Sequence, residues 1–481
     1  MSFIMAFGIS SIMLCIGMLL RTRVKFFQNM LVPASVIAGL LGLIVMNSGF
    51  HIGTDAGTFT AIVNFLFTLT FISIGLTSSS SPSKPGQSAG KEIAKGSMGM
   101  AMVWNTLYAL TPVLGAVILL VIGGAFGMHA YYGFLIPFSF AQGPGQAAAF
   151  GTIFEQQHGI ENAAMVGLTF SVIAYIACFL IGVPLAKYGI KKGLAKNFNH
   201  GQLDGYIKRG YFKKEEEREA MGKETVYSGN MDTMTFHFAM MGICYVIALG
   251  ISEFVSYIPV LGESFSGFVF IYGMIAGYAV KYVMNKLKID HLLDNTFQTK
   301  LTNWSTDYLV VASFMAVQFS VIAAWAAPIL IMSVATVFIS FILIMYFGKR
   351  FGGDDDFART LGIYGASIGT VPSGIALIRI MDPSLRTSVA VELGLMNIPM
   401  TIGSMITVST IFSVVSGAVP FWTGILLILA PIPVYLIIMK ALGVWGKKTY
   451  ELGGIRRKED LRCNNRSVLS AWQEGRFLDV E

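Results

Sequence analysis

Residues 142–146 read Gln-Gly-Pro-Gly-Gln, and residues 365–373 read Gly-Ala-Ser-Ile-Gly-Thr-Val-Pro-Ser. These two stretches interrupt apolar segments that run over 131–154 and 358–381. Glycine and proline break helices, so each segment keeps two arms that are too short to cross a bilayer, which takes about 20 helical residues. Both segments are therefore predicted to be re-entrant hairpins.

The composition around the two breaks is that of a membrane protein. Of the 481 residues, 54% are hydrophobic and 13% are charged, whereas a soluble domain carries about 25% charged residues. The net charge of +7 would suggest nucleic-acid binding in a soluble protein, but the basic residues lie in loops, where membrane orientation accounts for them. No nucleic-acid partner is expected, and the four scattered cysteines form no metal or disulfide pattern.

Eleven apolar runs are long enough to span about 30 Å of hydrocarbon. They lie at 3–20, 29–47, 57–76, 96–122, 162–186, 234–257, 264–285, 304–324, 327–347, 387–413 and 419–440. Lys and Arg occur in alternate loops only, and basic loops stay cytoplasmic. We therefore expect a multi-pass protein of the inner (plasma) membrane, with the amino terminus outside and the carboxyl terminus in the cytoplasm.

The order of these elements predicts an inverted repeat. The first hairpin enters from outside before span five, and the second enters from the cytoplasm before span ten, so five crossings separate equivalent elements. The fold class is thus an all-α polytopic membrane protein with two inverted five-span repeats, each with a re-entrant hairpin, an architecture typical of secondary transporters. The expected units are repeat one (1–188), a cytoplasmic connector (189–233), repeat two (234–413), an eleventh span (419–440) and a cytoplasmic tail (441–481).

The breaks also predict a ligand site. Non-helical backbone at membrane depth persists only when protein buries it or when it lines a wet cavity. Its carbonyls replace water around a small cation, and the amino-terminal ends of the following half helices, expected near Ala147 and Ser373, attract an anion. Helix kinks that merely pack are the alternative. The predicted substrate-binding residues are Gln142, Gly143, Gly145, Gln146, Ser367, Gly369, Thr370, Ser373 and Arg379.

Arg379 enters this set because its guanidinium binds a carboxylate through two parallel hydrogen bonds. A salt bridge with Asp382 is the alternative. Cation binding is predicted for the span amides Asn64, Asn105 and Gln318, with interhelical hydrogen bonds as the alternative. Glu392, about 9 Å into span ten, is expected to bind a cation or a proton, or to pair with Arg386.

An acidic run at 354–356 has the composition of a Mg²⁺ site in membrane prenyl transferases. It follows Lys349 and Arg350 in a short loop, and no second Asp-rich motif faces it. A solvated turn is therefore predicted, as is a mainly solvated tail. No catalytic residue, no metal other than Na⁺ and no cofactor is expected.

Several motifs resemble the glutamate:sodium symporter family. They are residues 32–39 (Val-Pro-Ala-Ser-Val-Ile-Ala-Gly), 71–76 (Phe-Ile-Ser-Ile-Gly-Leu), 142–148 (Gln-Gly-Pro-Gly-Gln-Ala-Ala), 182–188 (Gly-Val-Pro-Leu-Ala-Lys-Tyr) and 369–373 (Gly-Thr-Val-Pro-Ser). The resemblance covers about residues 3–413 and implies Na⁺-coupled import of acidic amino acids, paired re-entrant loops and elevator movement in a homodimer. The chain departs from the family pattern at four positions. Gln146 stands where a small polar residue is typical, Val371 and Ser373 stand where the family has the two threonines of Thr-Pro-Thr, and Leu377 stands where Asn is usual.

The sequence thus predicts Na⁺-coupled symport of glutamate or a related small organic anion by elevator-type alternating access. Transport of another amino acid or carboxylate coupled to H⁺ is the first alternative. A passive channel or a membrane enzyme is the second. The absence of a P-loop motif from the sequence argues against ATP-driven transport by this chain.

Overall fold

The computed structural model describes residues 2–30, 32–49, 53–77, 87–195, 210–213, 215, 218, 220–258, 266–353, 355–382 and 387–451. Within these ranges every regular element is a helix. The first part of the chain contains α1 (Ser2–Arg23), α2 (Lys25–Met30), α3 (Ala34–Met46), α4 (Ala56–Leu76), α5 (Gln87–Phe126), a 3₁₀ helix (Ala130–Leu135), α6 (Ile136–Phe140), α7 (Pro144–His158) and α8 (Ala163–Lys191).

The second part contains α9 (Thr233–Ser256), α10 (Val269–Lys286), a 3₁₀ turn (Asp290–Leu292), α11 (Asn295–Met315), α12 (Phe319–Ile322), a 3₁₀ turn (Ala323–Trp325), α13 (Ala326–Gly348), α14 (Asp356–Ser367), α15 (Val371–Met381), α16 (Val389–Leu395), α17 (Asn397–Val415), α18 (Phe421–Leu429) and α19 (Ile432–Ala441).

Eight helical stretches in the described residues are long and apolar enough to cross a membrane. They coincide with predicted spans one, three, four, five, six, nine, ten and eleven. The other three predicted spans correspond to α3, which has 13 residues, and to α10 and α11, which carry more polar residues. The polytopic all-α class is confirmed, while the count of eleven crossings and their orientation stay predictions.

The helices pack in two groups. In the first, α4 packs along α10 and α11, and α1, α3 and α9 join them. The second contains α5 to α8 and α13 to α19, and it therefore includes both predicted hairpins. Across the boundary, α4 and α11 contact α7. We call the first set the α4 group and the second set the hairpin group.

Small residues allow close packing inside the α4 group. An added Cβ at Gly277 would lie 2.8 Å from the carbonyl oxygen of Ile72, and one at Gly273 would lie 2.8 Å from Cγ1 of the same residue. Because these two glycines face α4 of their own chain, the GxxxG motif of α10 serves packing within the chain.

Residues 443–451, the C-terminal segment, begin the predicted tail. Most of them are exposed, but Val444 and Tyr450 are buried and anchor the segment to the fold. Val444 is 1% exposed. The Thr449 hydroxyl donates to Asp356 Oδ2 at 2.7 Å, and the Tyr450 hydroxyl is 2.7 Å from Thr360 Oγ1. Burial raises the pKa of Tyr450, so the phenol keeps its proton. The segment ties the end of the chain's described part to α14.

Asp356 corrects the prediction of a solvated acidic turn. It is 1% exposed and accepts hydrogen bonds from the backbone N–H groups of Gly352 and Gly353 at 2.9 and 3.0 Å. The Arg359 Nη1 donates to it at 3.0 Å. Three of these partners are within four residues of Asp356, and the fourth, Thr449, is almost a hundred residues away. The composition of the run does not show that the folded chain buries Asp356. Asp354 lies outside the described residues.

We expect Thr449→Val to lower the stability of the folded protein by about 1–3 kcal/mol, since the buried Asp356 carboxylate loses one of its hydrogen-bond donors. The measurement is the apparent melting temperature of the detergent-purified protein. Lys448→Ala is the matched control, because Lys448 forms only an exposed ion pair with Glu451 at 3.7 Å, and such pairs contribute about 0–1 kcal/mol. Equal melting temperatures for the two variants would show that the 443–451 contacts do not stabilise the fold.

Candidate functional site

The two predicted breaks lie against each other. An ideal Cβ on Gly143, in the first break, would lie 2.6 Å from Cγ2 of Thr370 and 3.9 Å from the carbonyl oxygen of Gly369, both in the second. The Tyr175 hydroxyl of α8 would be 3.8 Å from the same point. The fold therefore brings together residues that are more than two hundred positions apart in the sequence.

The first break has a backbone that requires glycine. Gly143 has φ +84° and ψ −173°, a conformation that is essentially restricted to glycine. Pro144 follows at the start of α7, where its fixed φ suits the first helical turn. This proline explains why α7 begins three residues before the end expected near Ala147. The second half helix, α15, likewise begins at Val371, two residues before Ser373.

Both α7 and α15 begin at the breaks, and neither receives a side-chain cap. The first N–H groups of a helix have no partner inside the helix, and aligned peptide dipoles give this end about half a positive charge. Two such ends meet where Gly143 touches Thr370. The arrangement favours an anion at the junction.

The predicted substrate-binding residues of the breaks all lie at this junction or in the first turns beside it. Gln142 and Thr370 are half-buried, while Gly143, Gly145, Gln146, Ser367, Gly369 and Ser373 are buried. The Gln142 Oε1 accepts a hydrogen bond from the Tyr108 hydroxyl at 2.8 Å. The hydroxyls of Thr370 and Ser373 are 3.2 Å apart.

Two buried acceptors near the junction have no partner among the described residues. These atoms are Oε1 of Gln146, in the first turn of α7, and Oγ of Ser367, at the end of α14. A buried polar atom without a hydrogen bond costs about 1–3 kcal/mol. Such atoms are suited to a ligand or a cation that supplies the missing partner.

Asn64 joins the α4 group to the first hairpin. Its Nδ2 donates to Thr152 Oγ1 of α7 at 3.2 Å. Its Oδ1 is buried and has no partner in the described part of the chain. Asn64 therefore contacts the first hairpin at Thr152, eight residues or about 12 Å along α7 from Pro144, and not at the junction itself.

Asn105 and Gln318 lie elsewhere. Asn105 is 1% exposed, and its Nδ2 donates to the carbonyl of Pro399 in α17 at 3.2 Å, an interhelical hydrogen bond of the alternative kind. Gln318 is outside the span helix in which the sequence placed it, because α11 ends at Met315 and Gln318 immediately precedes α12. The apolar run continues through this turn, so hydropathy alone does not show the break.

Glu392 pairs with Arg359, whereas the sequence suggested Arg386, which lies outside the described residues. The Arg359 Nε and Nη2 donate to the two Glu392 oxygens at 2.7 and 2.8 Å, and Ser388 Oγ donates at 2.7 Å. Glu392 is fully buried. The packing of α14 beside α16 brings Arg359 to Glu392. In the structure this carboxylate therefore binds the Arg359 guanidinium.

Arg379 is exposed in the last turn of α15. It lies eight residues after Val371, which is about 12 Å along the helix axis. The neighbouring Asp382 accepts a hydrogen bond from the Thr387 N–H at 2.7 Å. Arg379 is therefore the one predicted substrate-binding residue that the structure places away from the junction.

The sequence reasoning missed two aromatic features of the site. Tyr108 holds Gln142, and Trp104 of the same helix donates from Nε1 to the Ala366 carbonyl at 3.3 Å. Phe67 of α4 lies so close to Gly145 that an added Cβ would overlap its ring. The sequence does show Trp104 and Tyr108 inside a predicted span. Because a buried Tyr or Trp usually finds a hydrogen-bond partner, these two residues could have been predicted to contact a polar group of the site.

A separate cavity of about 570 Å³ lies at the base of the second hairpin. Charged and polar side chains line it, among them Glu92, Lys95, Asp356, Arg359 and Tyr450. None of the junction residues belongs to its lining. The convergence of helix ends and unpartnered acceptors therefore identifies the junction, and not this cavity, as the candidate ligand site.

The comparison with protein families gives one match. A family described as sodium/glutamate symporter matches residues 1–382. This range contains both breaks and stops before the tenth and eleventh predicted spans and the C-terminal segment. Neither a curated protein nor a solved structure gave a match to the chain.

Proposed function

Because the chain belongs to the sodium/glutamate symporter family, it is a multi-pass membrane transporter and not an enzyme, and we propose that it uses Na⁺ to import glutamate or a related small organic anion. The observation that carries this proposal is the contact between the two breaks. Two uncapped helix ends meet there, beside buried acceptors that lack partners.

The junction supports binding of an anion. Each arm is short, with 15 residues in α7, 12 in α14 and 11 in α15, or about 16–22 Å at 1.5 Å per residue. Arms of this length end inside a hydrocarbon layer of about 30 Å, which favours the re-entrant arrangement. A carboxylate between the two helix ends would accept hydrogen bonds from their free N–H groups.

Oxygen atoms of the same region suit a sodium ion, since hard cations prefer oxygen ligands. The candidates at the junction are Gln146 Oε1 and Ser367 Oγ, both buried and without partners among the described residues. The Asn64 Oδ1 also lacks such a partner, but Asn64 contacts Thr152, about 12 Å along α7 from Pro144. If the substrate and the sodium ion both bind at this junction, the binding of one would favour the binding of the other. No role in Na⁺ binding is proposed for Gln318. None is proposed for Asn105 either: its Oδ1 also lacks a partner among the described residues, but its side chain lies against α17 and not at the junction.

The two helix groups support elevator-type movement of the hairpin group against the α4 group. The contacts across the boundary are mainly those of α4 and α11 with α7, and of α11 with α8. Contacts of the first hairpin there include Asn64 with Thr152, Gly145 with Phe67, and Phe150 with Phe270. A glycine at position 145 lets the hairpin pass close to the Phe67 ring. In inverted-repeat transporters one bundle moves largely as a rigid body against the other, and in the elevator form proposed here the site moves with the hairpin group. The homodimer implied by the family resemblance is part of the proposal, and native mass spectrometry tests it.

The test is uptake of labelled glutamate by proteoliposomes that contain the purified full-length protein. With an inward Na⁺ gradient we expect accumulation above the external concentration, and none when choline replaces Na⁺. A panel of unlabelled amino acids and dicarboxylates, added as competitors, identifies the best substrate. Protein-free liposomes are the control.

Each contrary outcome rejects a different part of the proposal. Accumulation driven by a pH gradient alone would replace Na⁺ by H⁺ as the coupling ion. Flux that equilibrates without accumulation would indicate a channel. If no acidic amino acid or carboxylate competed or accumulated, the substrate assignment would be wrong.

A further inference from the structure

Trp104 and Tyr108 lie one turn apart on α5, and together they contact both hairpins. The Trp104 indole donates to the Ala366 carbonyl of the second hairpin at 3.3 Å, and the Tyr108 hydroxyl donates to Gln142 Oε1 in the first break at 2.8 Å. Their rings are stacked, with centroids 4.6 Å apart and an interplanar angle of 15°. Both side chains are buried, at 0% and 1% exposure. One turn of α5 thus links the two halves of the site.

The hydrogen bond from Tyr108 determines which way the Gln142 carboxamide faces. A buried phenol needs an acceptor for its proton, and the oxygen is the only acceptor that a carboxamide has. With Oε1 bound to the Tyr108 hydroxyl, the two N–H donors of Nε2 are not used in that contact, and Gln142 as a whole is half-buried. The opposite orientation would leave the phenol without an acceptor from Gln142.

The direction of this carboxamide sets the polarity of the junction. Donors from Gln142 add to the free N–H groups at the start of α7, and both attract a carboxylate. A reversed carboxamide would offer a carbonyl oxygen, which repels an anion.

We propose that Tyr108 is a positioning residue that makes the junction selective for anions by holding Gln142 with its donors toward the ligand. Trp104 supports this role because it stacks on Tyr108 and fixes the second hairpin from the same helix turn. This inference rests on the proposed function, since it specifies how that site selects the charge class of its ligand.

The first test compares Tyr108→Phe with Tyr435→Phe in the uptake assay. Tyr435 is a matched control because its hydroxyl is also buried and donates to a backbone carbonyl, that of Gly403 at 3.4 Å, within the hairpin group. We expect Tyr108→Phe to raise KM for the labelled acidic amino acid roughly tenfold, with the maximal rate within about twofold of wild type. Tyr435→Phe should leave KM unchanged. Equal KM values for the two variants would overturn the inference.

The second test uses Gln142→Glu and Gln142→Ala. The glutamate still offers an oxygen to Tyr108, but it replaces the two N–H donors by a second acceptor, so uptake of the anion should fall at least a hundredfold. Combining Tyr108→Phe with Gln142→Ala should be no worse than Gln142→Ala alone, because the phenol acts through Gln142. Normal uptake by Gln142→Glu, or additive losses in the double variant, would contradict a positioning role.

Failure of this inference is distinguishable from failure of the proposed function. If the wild-type protein accumulates no acidic amino acid or carboxylate under a Na⁺ gradient, the proposed function is wrong. If the wild type accumulates the anion and Tyr108→Phe has a wild-type KM, only the positioning role is wrong.

Discussion

Gly143→Ala is expected to abolish Na⁺-driven uptake while the protein still reaches the membrane. The backbone at Gly143 has φ +84° and ψ −173°, which costs about 1–3 kcal/mol for any residue with a side chain. The added methyl group would also lie 2.6 Å from Cγ2 of Thr370, and overpacking costs about 1–3 kcal/mol more. Because both penalties act where the hairpins meet, we expect initial uptake rates to fall at least about a hundredfold.

Gly159→Ala provides the matched control for this substitution. Gly159 follows α7 in the same hairpin and also has positive φ, at +65°, but an added Cβ would meet nothing within 4 Å. Its left-handed conformation costs roughly 1–2 kcal/mol without a clash, and uptake should stay within a few-fold of wild type. Uptake rates of the two variants are compared after normalisation to membrane abundance. Active transport by Gly143→Ala would remove the claim that contact between the breaks forms the site.

Arg359→Met is expected to cause the largest loss of stability, about 3–5 kcal/mol, because it leaves the buried Glu392 carboxylate without its partner. Glu392 is fully buried, and both of its oxygens accept hydrogen bonds from Arg359. Thermal unfolding of the detergent-purified protein measures the effect. Arg379→Met is the control, since Arg379 is exposed and exposed substitutions usually stay within about 0.5 kcal/mol.

A double variant separates loss of the pair from loss of the arginine side chain. Arg359→Met combined with Glu392→Leu removes the Arg359–Glu392 pair and keeps apolar volume, and replacement of a buried pair is often close to neutral. The Asp356 carboxylate loses its contact with Arg359 in both variants, so the comparison isolates the Glu392 contribution. We expect it to recover most of the melting temperature lost in Arg359→Met. A double variant as unstable as the single one would mean that the arginine acts through Asp356 or through packing, and not through Glu392.

Much of the fold was predictable because its signals are local. Gly-Pro-Gly at 143–145 and the Val-Pro pair at 371–372 locate the breaks, since proline and glycine act on their own backbone. The lengths of the apolar runs predicted the helices, and the order of short motifs identified the family, which the match over 1–382 confirms. Two predictions were wrong. Hydropathy predicted a continuous helix through Gln318, and the charge of the acidic run predicted that Asp356 is solvated.

What the amino-acid order determined by itself was most of the long helices, the position of the two hairpin breaks, and membership in a transporter family, because each of these depends on neighbouring residues or on recognisable short patterns. Only the tertiary structure decided which groups meet. It places Gly143 in contact with Thr370, forms the hydrogen bond from Tyr108 to Gln142, and pairs Glu392 with Arg359. The physical reason is range: a hydrogen bond or an ion pair needs its two atoms within about 3–4 Å of each other, and helix packing, not spacing along the chain, sets distances on that scale.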